Sequence, residues 1–349
     1  MSHTTILTPE GVTITGITYT IDKSGVVDPV IQIEPPMHVS YSDGRSESSF
    51  EVSRIPLTRS ADAGYEDIGI GSRVRVCRDD VYISSDEVNL DIIPTALSSR
   101  ITIRLMEDSP ELAEGTPRLV TRVCPGCHSV LRIQAGEATC VNPLCPSQIL
   151  QRCVHFLKSV RVYLHGPFYQ ILCMLVARGY VRTVSDIFYI DPRAVQSTAD
   201  FVDERYLQTF LDLIHEPVGH TSMTDVLIGL SIWTEETCHD TLHIQDFVSH
   251  LQQRMRDEQD IDLTLRTLID YVDDVVAGSG VYVDPDTDRD QTGQIYDQIS
   301  KLDDAASDAL HEMTGPLNDF EIAQLIQWIY VPEHRHVLEN LNDLDFVGV

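Results

Sequence analysis

The spacing of apolar residues divides the chain into two parts. Between residues 11 and 95, β-branched and aromatic residues alternate with polar ones in the runs VTITGITYTI, VIQIEP, HVSY, FEVSRI, RVRVC and VYIS. Such alternation, interrupted by Ser, Gly, Asp and Pro, predicts short strands. From Ser147 onward, the runs SQILQRCVHFLKSV, PFYQILCMLVARG and DERYLQTFLDLI have a helical period. The pattern predicts a multidomain α+β protein with β structure first and an all-α unit last.

The expected domains follow this division. Five or six strands in the first part are typical of a small closed barrel, of which the OB-fold is the commonest form that binds polynucleotides. We expect an OB-fold-like β-barrel over residues 1–104, a linker over 105–118, a small cysteine module over 119–150 and a helical domain over 151–349. The helical domain contains an acidic loop at 278–293. Its later helices are predicted near 244–258, 261–277, 291–312, 318–329 and 332–342.

Four cysteines form two close pairs in the segment CPGCHSVLRIQAGEATCVNPLCPSQ. They are Cys124, Cys127, Cys140 and Cys145, and a short β-prone arm separates the pairs. Structural Zn²⁺ is held tetrahedrally by four ligands such as thiolates, at about 2.3 Å, and small sites of this kind depend on the metal to fold. The spacing therefore predicts a structural zinc site.

Three other kinds of site use closely spaced cysteines. Disulfides need an oxidising compartment, but the N-terminus lacks a signal-peptide pattern, and the remaining cysteines stand singly among apolar residues. These are Cys77, Cys153, Cys173 and Cys238. The run CPGCH also matches a haem attachment pattern, and CPGC matches a redox motif. Because neither pattern gives the second cysteine pair a role, we favour zinc.

The charge balance is strongly acidic. The chain has 54 acidic and 25 basic residues, a net charge of −29, and lysine only at Lys23, Lys158 and Lys301. High negative charge with Arg in place of Lys suggests the high-salt cytoplasm of a haloarchaeal host, or one of its viruses; an acidic mesophilic protein is the alternative. No apolar run is long enough for a membrane span. Such charge normally argues against nucleic-acid binding.

Positive charge in the predicted barrel is concentrated in a few arginines. The candidate DNA-binding residues are Arg54, Arg59, Arg73, Arg75 and Arg78. Because residues two apart on a strand share a face, Arg73 and Arg75 should point the same way. They could follow a phosphate backbone or pair with the abundant carboxylates, and both interpretations are open.

Two further patterns allow a metal site but favour a simpler interpretation. Alternating aspartates begin at Asp284, as in a calcium loop, yet Arg289 and Ile295 occupy the positions that require Gly and Glu. A solvated acidic loop is the better interpretation. His239 and His243 are four residues apart without an evident carboxylate partner, which favours a surface location over a metal site. The sequence contains no G-x-x-x-x-G-K-[ST], H-E-x-x-H or G-x-S-x-G motif.

Several stretches together resemble a known family. KSGVVDPV at 23–30, followed by IEP at 33–35, is similar to GRTGxxTPVAxLEP; VSRIPL at 52–57 is similar to VSRATLHN; and CVNPLCPSQ at 140–148 is similar to CxNPxCPAQ. The two last predicted helices are also similar. The chain resembles the C-terminal portion of NAD-dependent DNA ligases.

The resemblance implies an OB-fold, a four-cysteine zinc finger and a helix-hairpin-helix domain. It implies that the zinc ligands are Cys124, Cys127, Cys140 and Cys145. It also implies that Arg54 and Arg78 contact the DNA backbone, although the segment around Arg78 keeps only part of the family pattern RRAGDVIP. His128 stands where the family has Gly.

Two departures bear on activity. The adenylating K-x-D-G motif is absent, and the closest run, KLDD at 301–304, lies in a polar helical stretch. The family's Gly-h-Gly turns, which bind phosphates through backbone N–H groups, correspond to 166–167, 202–203, 234–235 and 315–316. Two of these carry acidic residues and two place Pro where an N–H is needed.

We therefore expect a DNA-clamp subunit of a split NAD-dependent ligase, acting in DNA replication or repair. It would engage nicked double-stranded DNA, while a separate adenylation-domain subunit supplies NAD and Mg²⁺ chemistry. The alternative is a non-catalytic, ligase-derived module for DNA or protein interaction, for example in a replisome or virion.

Overall fold

The chain forms two compact units, Met1–Gln148 and Ile149–Val349. The computed structural model describes residues 3–7, 11–42, 47–57, 65–78, 101–114, 116, 118–134, 137–198, 203–233, 241–259, 261–284 and 290–347. The first unit contains the strands and the second contains most of the helical residues. The architecture is α+β, as the sequence pattern predicts.

A six-stranded antiparallel sheet forms most of the first unit. Its strands are β1 (His3–Leu7), β2 (Val12–Ile21), β3 (Val27–Ser42), β4 (Glu47–Pro56), β5 (Arg73–Arg78) and β6 (Ile101–Leu105). The strand order is β1-β3-β2-β5-β6, and β4 also pairs with β3. Alternation makes one face apolar, because Val12 and Ile14 of β2 are buried whereas Thr15 is exposed.

The strand boundaries differ from the predicted ones in two places. The runs VIQIEP and HVSY belong to one strand, β3, whose register against β4 shifts between Gln32 and Met37. Pro35 and Pro36 fall within this shift. Proline is normally a strand breaker, and the irregularity accommodates it. Strand β6 was not predicted, and the predicted strand VYIS lies outside the described residues.

The core beneath the sheet includes residues from outside the strands. Tyr65 and Leu119 are buried together with Ile14 and Ile31 of the sheet. The Tyr65 hydroxyl accepts a 3.1 Å hydrogen bond from the Ile103 amide, and the Leu119 amide donates a 2.9 Å bond to Ile68. The chain that follows residues 105–118 therefore packs under the sheet.

A small hairpin completes the first unit. Its strands are β7 (Arg132–Gln134) and β8 (Glu137–Thr139). A separate apolar cluster joins this region to the end of the large sheet, because Leu131 and Ala138 pack with Ile21 and Val27. Three of the four candidate metal ligands, Cys124, Cys140 and Cys145, are buried in the same cluster.

The described part of the chain contains eleven α-helices. They are α1 (Pro146–Ser159), α2 (Pro167–Ala177), α3 (Pro192–Thr198), α4 (Glu204–His215), α5 (Met223–Gly229), α6 (Thr241–Gln259), α7 (Leu265–Ser279), α8 (Thr292–Ile299), α9 (Asp304–Thr314), α10 (Asp319–Tyr330) and α11 (Pro332–Asp343). The second unit has one continuous core, which includes Phe156, Phe188 and Phe346. None of the described helices is long and apolar enough to cross a membrane.

The prediction of one helix over 291–312 was wrong. The chain forms two helices there, α8 and α9, because Asp303 begins a new helix as its N-cap. The Asp303 carboxylate accepts a 2.9 Å hydrogen bond from the Ala306 amide. Asp is among the strongest N-cap residues, and its carboxylate satisfies an amide that lacks a partner within the helix.

Candidate metal centre and candidate DNA-binding residues

The four paired cysteines bring their sulfur atoms into one group. All four Sγ atoms lie within 4.8 Å of one another. The Cys124 and Cys145 sulfurs are 3.7 Å apart, and those of Cys127 and Cys140 are 3.5 Å apart. Four thiolates placed tetrahedrally about 2.3 Å from one ion would be about 3.8 Å apart. A disulfide would require about 2.05 Å. The group can therefore hold a metal ion, and its spacing does not fit disulfides.

A tight turn presents the first cysteine pair. The Cys124 amide donates a 2.8 Å hydrogen bond to the Ser129 carbonyl, and the His128 amide donates a 2.9 Å bond to the Cys124 carbonyl. His128 has a positive φ of 61°. That conformation suits the glycine of the resembling family, and here an exposed imidazole takes its place.

The second cysteine pair is attached to the turn between β2 and β3. The Cys140 amide donates a 2.8 Å hydrogen bond to the Gly25 carbonyl. The Gln148 side-chain amide, which is buried, donates a 2.7 Å bond to the Cys140 carbonyl. Gly25 has a φ of 92°, and a Cβ there would lie 2.5 Å from the Cys140 oxygen. Only glycine allows this close approach.

The thiols of the group differ in their tendency to ionise. Burial is the main cause that raises the pKa of Cys140 to about 12, and burial also raises the pKa of Cys145. Burial acts in the same direction at Cys127, but hydrogen bonds to Ser129 and Asn142 lower the pKa of that thiol to about 6. A divalent cation among the sulfurs would favour the thiolate form at every position. The donor set therefore fits a thiophilic divalent ion.

Three of the five candidate DNA-binding arginines can be located. Arg54 is exposed on β4, where its backbone pairs with Gln32 of β3. The Arg73 guanidinium pairs with Asp108, so part of its charge is already neutralised. Arg75 is exposed and also engaged with a neighbouring group. Burial of Val74 and Val76 on the opposite face of β5 agrees with the predicted alternation.

Among the three arginines whose side chains are described, Arg54 lies on a different strand from Arg73 and Arg75. Strands β3 and β2 lie between β4, which carries Arg54, and β5, which carries Arg73 and Arg75. Arg59 lies outside the described residues. Arg78 ends β5, and its side chain is likewise outside the described part of the chain. Their contact with DNA remains a prediction.

The expectation that His243 lacks a carboxylate partner was wrong. Its Nε2 lies 3.0 Å from Oε2 of Glu321, a buried residue of α10. The same carboxylate accepts a 2.8 Å hydrogen bond from the Asn318 amide and so forms part of the N-terminal cap of α10. The contact joins α6 to α10, 78 residues apart in sequence. His239 lies outside the described residues.

At three of the four turns that correspond to the family's Gly-h-Gly sites, the structure places a proline or an amide that is already hydrogen-bonded. Gly166 keeps a positive φ of 51° before α2, but Pro167 follows it and has no N–H. At the second turn, the Asp203 carboxylate accepts a 2.8 Å hydrogen bond from the Arg205 amide and so occupies the start of α4. The third turn, 234–235, lies outside the described residues. Gly315 precedes Pro316 at the fourth.

The described residues of the acidic loop provide no support for a calcium site. The Asp284 backbone exchanges hydrogen bonds of 3.0 and 2.8 Å with the Gln291 side-chain amide, which closes the base of the loop. Residues 285–289, which include the other central aspartates, lie outside the described part of the chain.

Sequence comparison relates the chain to known proteins. No family model matches it. It is 27% identical to a DNA ligase of Staphylococcus saprophyticus over 218 residues, which are 62% of this chain and 28% of that ligase. The matched stretch is similar to part of DNA ligases. A DNA ligase of Bacillus cereus is 27% identical over 221 residues, 63% of this chain and 29% of the ligase. A DNA ligase of Nitratidesulfovibrio vulgaris is 25% identical over 177 residues, which are 50% of this chain and 19% of that ligase. The matched segments span less than a third of these ligases.

One charge pattern was missed in the sequence. Residues 115–185 contain a single acidic residue, Glu137, and eight basic ones, although 54 of the 349 residues of the chain are acidic. Two of the eight, Arg122 and Arg132, are exposed beside the cysteine group. A count of acidic residues in successive windows would have found this stretch, because an even distribution of the acidic residues would place about eleven there.

Proposed function

We propose that this chain is the DNA-binding subunit of a split NAD-dependent DNA ligase. It engages nicked double-stranded DNA, and a separate adenylation subunit supplies the reaction of NAD with Mg²⁺. The observation that carries the proposal is the similarity to DNA ligases over more than 200 residues. Contact with duplex DNA is a part of ligation that does not itself need an adenylation site.

The architecture of the first unit supports this proposal. The meander β2-β3-β4, with β2 also paired to β5 and β5 to β6, is the connectivity that we assign to an OB-fold. The metal at the cysteine group is Zn²⁺ in this proposal, because four thiolates in tetrahedral spacing are typical of structural zinc. Zinc then fixes the turn between β2 and β3 through the Gly25 and Cys140 hydrogen bond.

The adenylating lysine comes from another polypeptide in this proposal. Within these 349 residues the run closest to K-x-D-G is Lys301-Leu-Asp-Asp304. Its Asp303 is engaged as the N-cap of α9. Lys301 is exposed in the turn between α8 and α9, whereas a nucleotide site requires a concave pocket.

The acidic composition sets the conditions for this function. At a net charge of −29, approach to DNA is unfavourable in dilute salt, and molar salt screens charges within about 3 Å. Binding in a high-salt cytoplasm would therefore depend on local contacts rather than on long-range attraction.

A second function, a ligase-derived scaffold that does not join DNA, is favoured by one observation. The Asp203 carboxylate accepts a hydrogen bond from the Arg205 amide at the start of α4, where a phosphate would otherwise bind. A carboxylate already bound there repels a phosphate as well as replacing it.

Titration of fluorescent nicked duplex with the zinc-loaded protein separates the two functions. We expect the protein to bind nicked duplex more tightly than intact duplex in anisotropy, across the salt range in which circular dichroism shows it folded. Arg54→Ala should lower the salt slope of log K by about one unit. Arg256→Ala, which changes an exposed arginine 4.0 Å from Asp262, is the matched control and should leave the slope unchanged. Absence of binding at every such salt concentration would overturn the ligase proposal and favour the scaffold.

A further inference from the structure

We infer that the second unit carries a docking surface for an arginine-bearing segment of another protein. We call it the aromatic face and define it as Tyr282, Tyr296, Asp297 and Phe320. It comprises the outer side of α8, the chain beside that helix and the start of α10. The inference goes beyond the proposed function, because docking of a protein there does not depend on DNA binding.

The aromatic face exposes three rings to solvent. Tyr282 is 69% exposed, and Tyr296 and Phe320 are each 38% exposed. Single exposed apolar residues are common on protein surfaces, whereas neighbouring ones rimmed by polar groups mark interaction sites. Tyr and Phe are also enriched at the centres of protein interfaces. The grouping of these rings therefore indicates a binding surface.

The geometry of α8 places a carboxylate among the rings. Ile295 and Ile299 are buried, which fixes the side of the helix that faces the core. At about 100° per residue, Asp297 then projects from the opposite side and Tyr296 from one flank. Asp297 is exposed, and within the described part of the chain its carboxylate has no ion-pair partner. It is available to a cation from outside.

The rings are held in place from both flanks of α8. On one flank, the Gln298 side-chain carbonyl accepts a 2.9 Å hydrogen bond from the Tyr282 amide. The Gln298 side-chain amide donates a 3.0 Å bond to the Tyr282 carbonyl. On the other flank, the Tyr296 and Phe320 rings meet edge to face, with centroids 5.8 Å apart, and join α8 to α10. Ordered aromatic groups lose little further conformational entropy on binding.

The surrounding charge decides the kind of occupant. Residues 282–320 contain ten acidic and two basic residues. A phosphate backbone or a second copy of this face would add further negative charge, so both are disfavoured. A basic protein segment matches the charge. Arginine suits the face better than lysine, because a guanidinium stacks on aromatic rings and is weakly hydrated. Such stacking persists in molar salt, which screens charges within about 3 Å.

The test is binding of a fluorescent peptide of alternating arginine and leucine to the full zinc-loaded chain, measured by anisotropy in molar salt. The matched peptide has lysine in place of every arginine, and we expect it to bind about tenfold more weakly. Tyr282→Ala and Tyr296→Ala should each weaken binding of the arginine peptide about threefold to thirtyfold, with unchanged circular dichroism. Tyr206→Ala, which removes an exposed tyrosine of α4, is the matched control and should bind as the parent does.

The charge is tested separately through Asp297→Asn. This variant should weaken binding of the arginine peptide in dilute salt, and the loss should shrink in molar salt because the carboxylate is exposed. An equal loss in Tyr206→Ala would show that the peptide binds elsewhere and would overturn the inference.

Three further results would overturn the inference. If Tyr282→Ala and Tyr296→Ala bind the arginine peptide as the parent does, the aromatic face is only solvated. If the lysine peptide binds as tightly as the arginine peptide, net charge alone attracts it. If the two tyrosine variants weaken binding of nicked duplex instead, the face serves DNA. Peptide binding as expected by a parent that binds no duplex would support the inference while the proposed function fails.

Discussion

The Cys140 amide donates a 2.8 Å hydrogen bond to the Gly25 carbonyl, and this contact joins the second cysteine pair to the turn between β2 and β3. The turn is itself rigid, because the Asp22 carboxylate accepts hydrogen bonds of 2.9 and 2.8 Å from the Ser24 and Val26 amides. A metal bound at the cysteines would therefore stabilise this end of the sheet as well as its own module.

Gly25→Ala should destabilise the first unit. The new Cβ would need a positive φ of 92° and would lie 2.5 Å from the Cys140 oxygen. Backbone strain and close contact together should cost about 2–4 kcal/mol in the free energy of unfolding, measured by denaturant titration of the zinc-loaded protein. Gly71→Ala is the matched control, because Gly71 has the same φ but no atom within 4 Å of a new Cβ. It should cost only about 1–2 kcal/mol. Equal losses would show that the Cys140 contact is unimportant.

Cys140→Ser should remove the metal. Loss of one of four thiolates weakens a structural zinc site, whose apparent binding free energy is typically about 10–16 kcal/mol. We expect elemental analysis to find about one zinc per parent chain and much less in the variant, with faster amide exchange across residues 119–148. Cys173→Ser, which changes a half-buried thiol outside the group, should keep its zinc. Full zinc in the Cys140 variant would contradict the four-thiolate assignment.

Local sequence patterns predicted the features that depend on local geometry. The cysteine spacing identified four residues whose sulfur atoms lie within 4.8 Å of one another, and the helical period located most of the helices. Both features depend on residues that are close in sequence. The sequence predicted two strands in place of β3, because Pro35 and Pro36 normally end a strand. Whether a strand can continue through them depends on its register with β4, which local sequence does not show.

Pairings between distant residues could not be predicted in the same way. The Arg73 pair with Asp108 and the His243 contact with Glu321 join residues 35 and 78 positions apart. A single sequence does not indicate which of 54 acidic residues meets a given cation. For this reason Arg73 was predicted as a DNA contact, although its guanidinium already has a carboxylate partner.

Stability of the second unit should fall as the pH is lowered through about 6.5. Burial lowers the pKa of His334 from 6.5, and Arg152 acts in the same direction, whereas the Trp328 carbonyl and Glu333 oppose it. Because the unfolded chain binds the proton more readily, this contribution is fully present above the unfolded pKa and is lost as the pH falls. Urea unfolding followed by tryptophan fluorescence between pH 8 and 5 measures it.

His334→Phe should remove this part of the pH dependence while keeping a ring on Trp328, whose centroid is 4.4 Å from that of the imidazole. His336→Phe, at an exposed position two residues away, should retain it. Parallel pH profiles for the parent and the His334 variant would show that another group is responsible.

Arg161→Gly should stabilise the second unit. Arg161 follows α1 with a positive φ of 66°, and the Val162 amide donates a 2.7 Å hydrogen bond to the Leu157 carbonyl. This is a Schellman-type helix end, in which glycine is strongly preferred. Relief of strain, less the extra entropy of unfolded glycine, should raise the free energy of unfolding by about 1 kcal/mol. The chemically identical change Arg178→Gly, at a negative φ of −92°, should instead lower it. If both variants are destabilised, the Arg161 side chain makes a stabilising contact that outweighs its backbone strain.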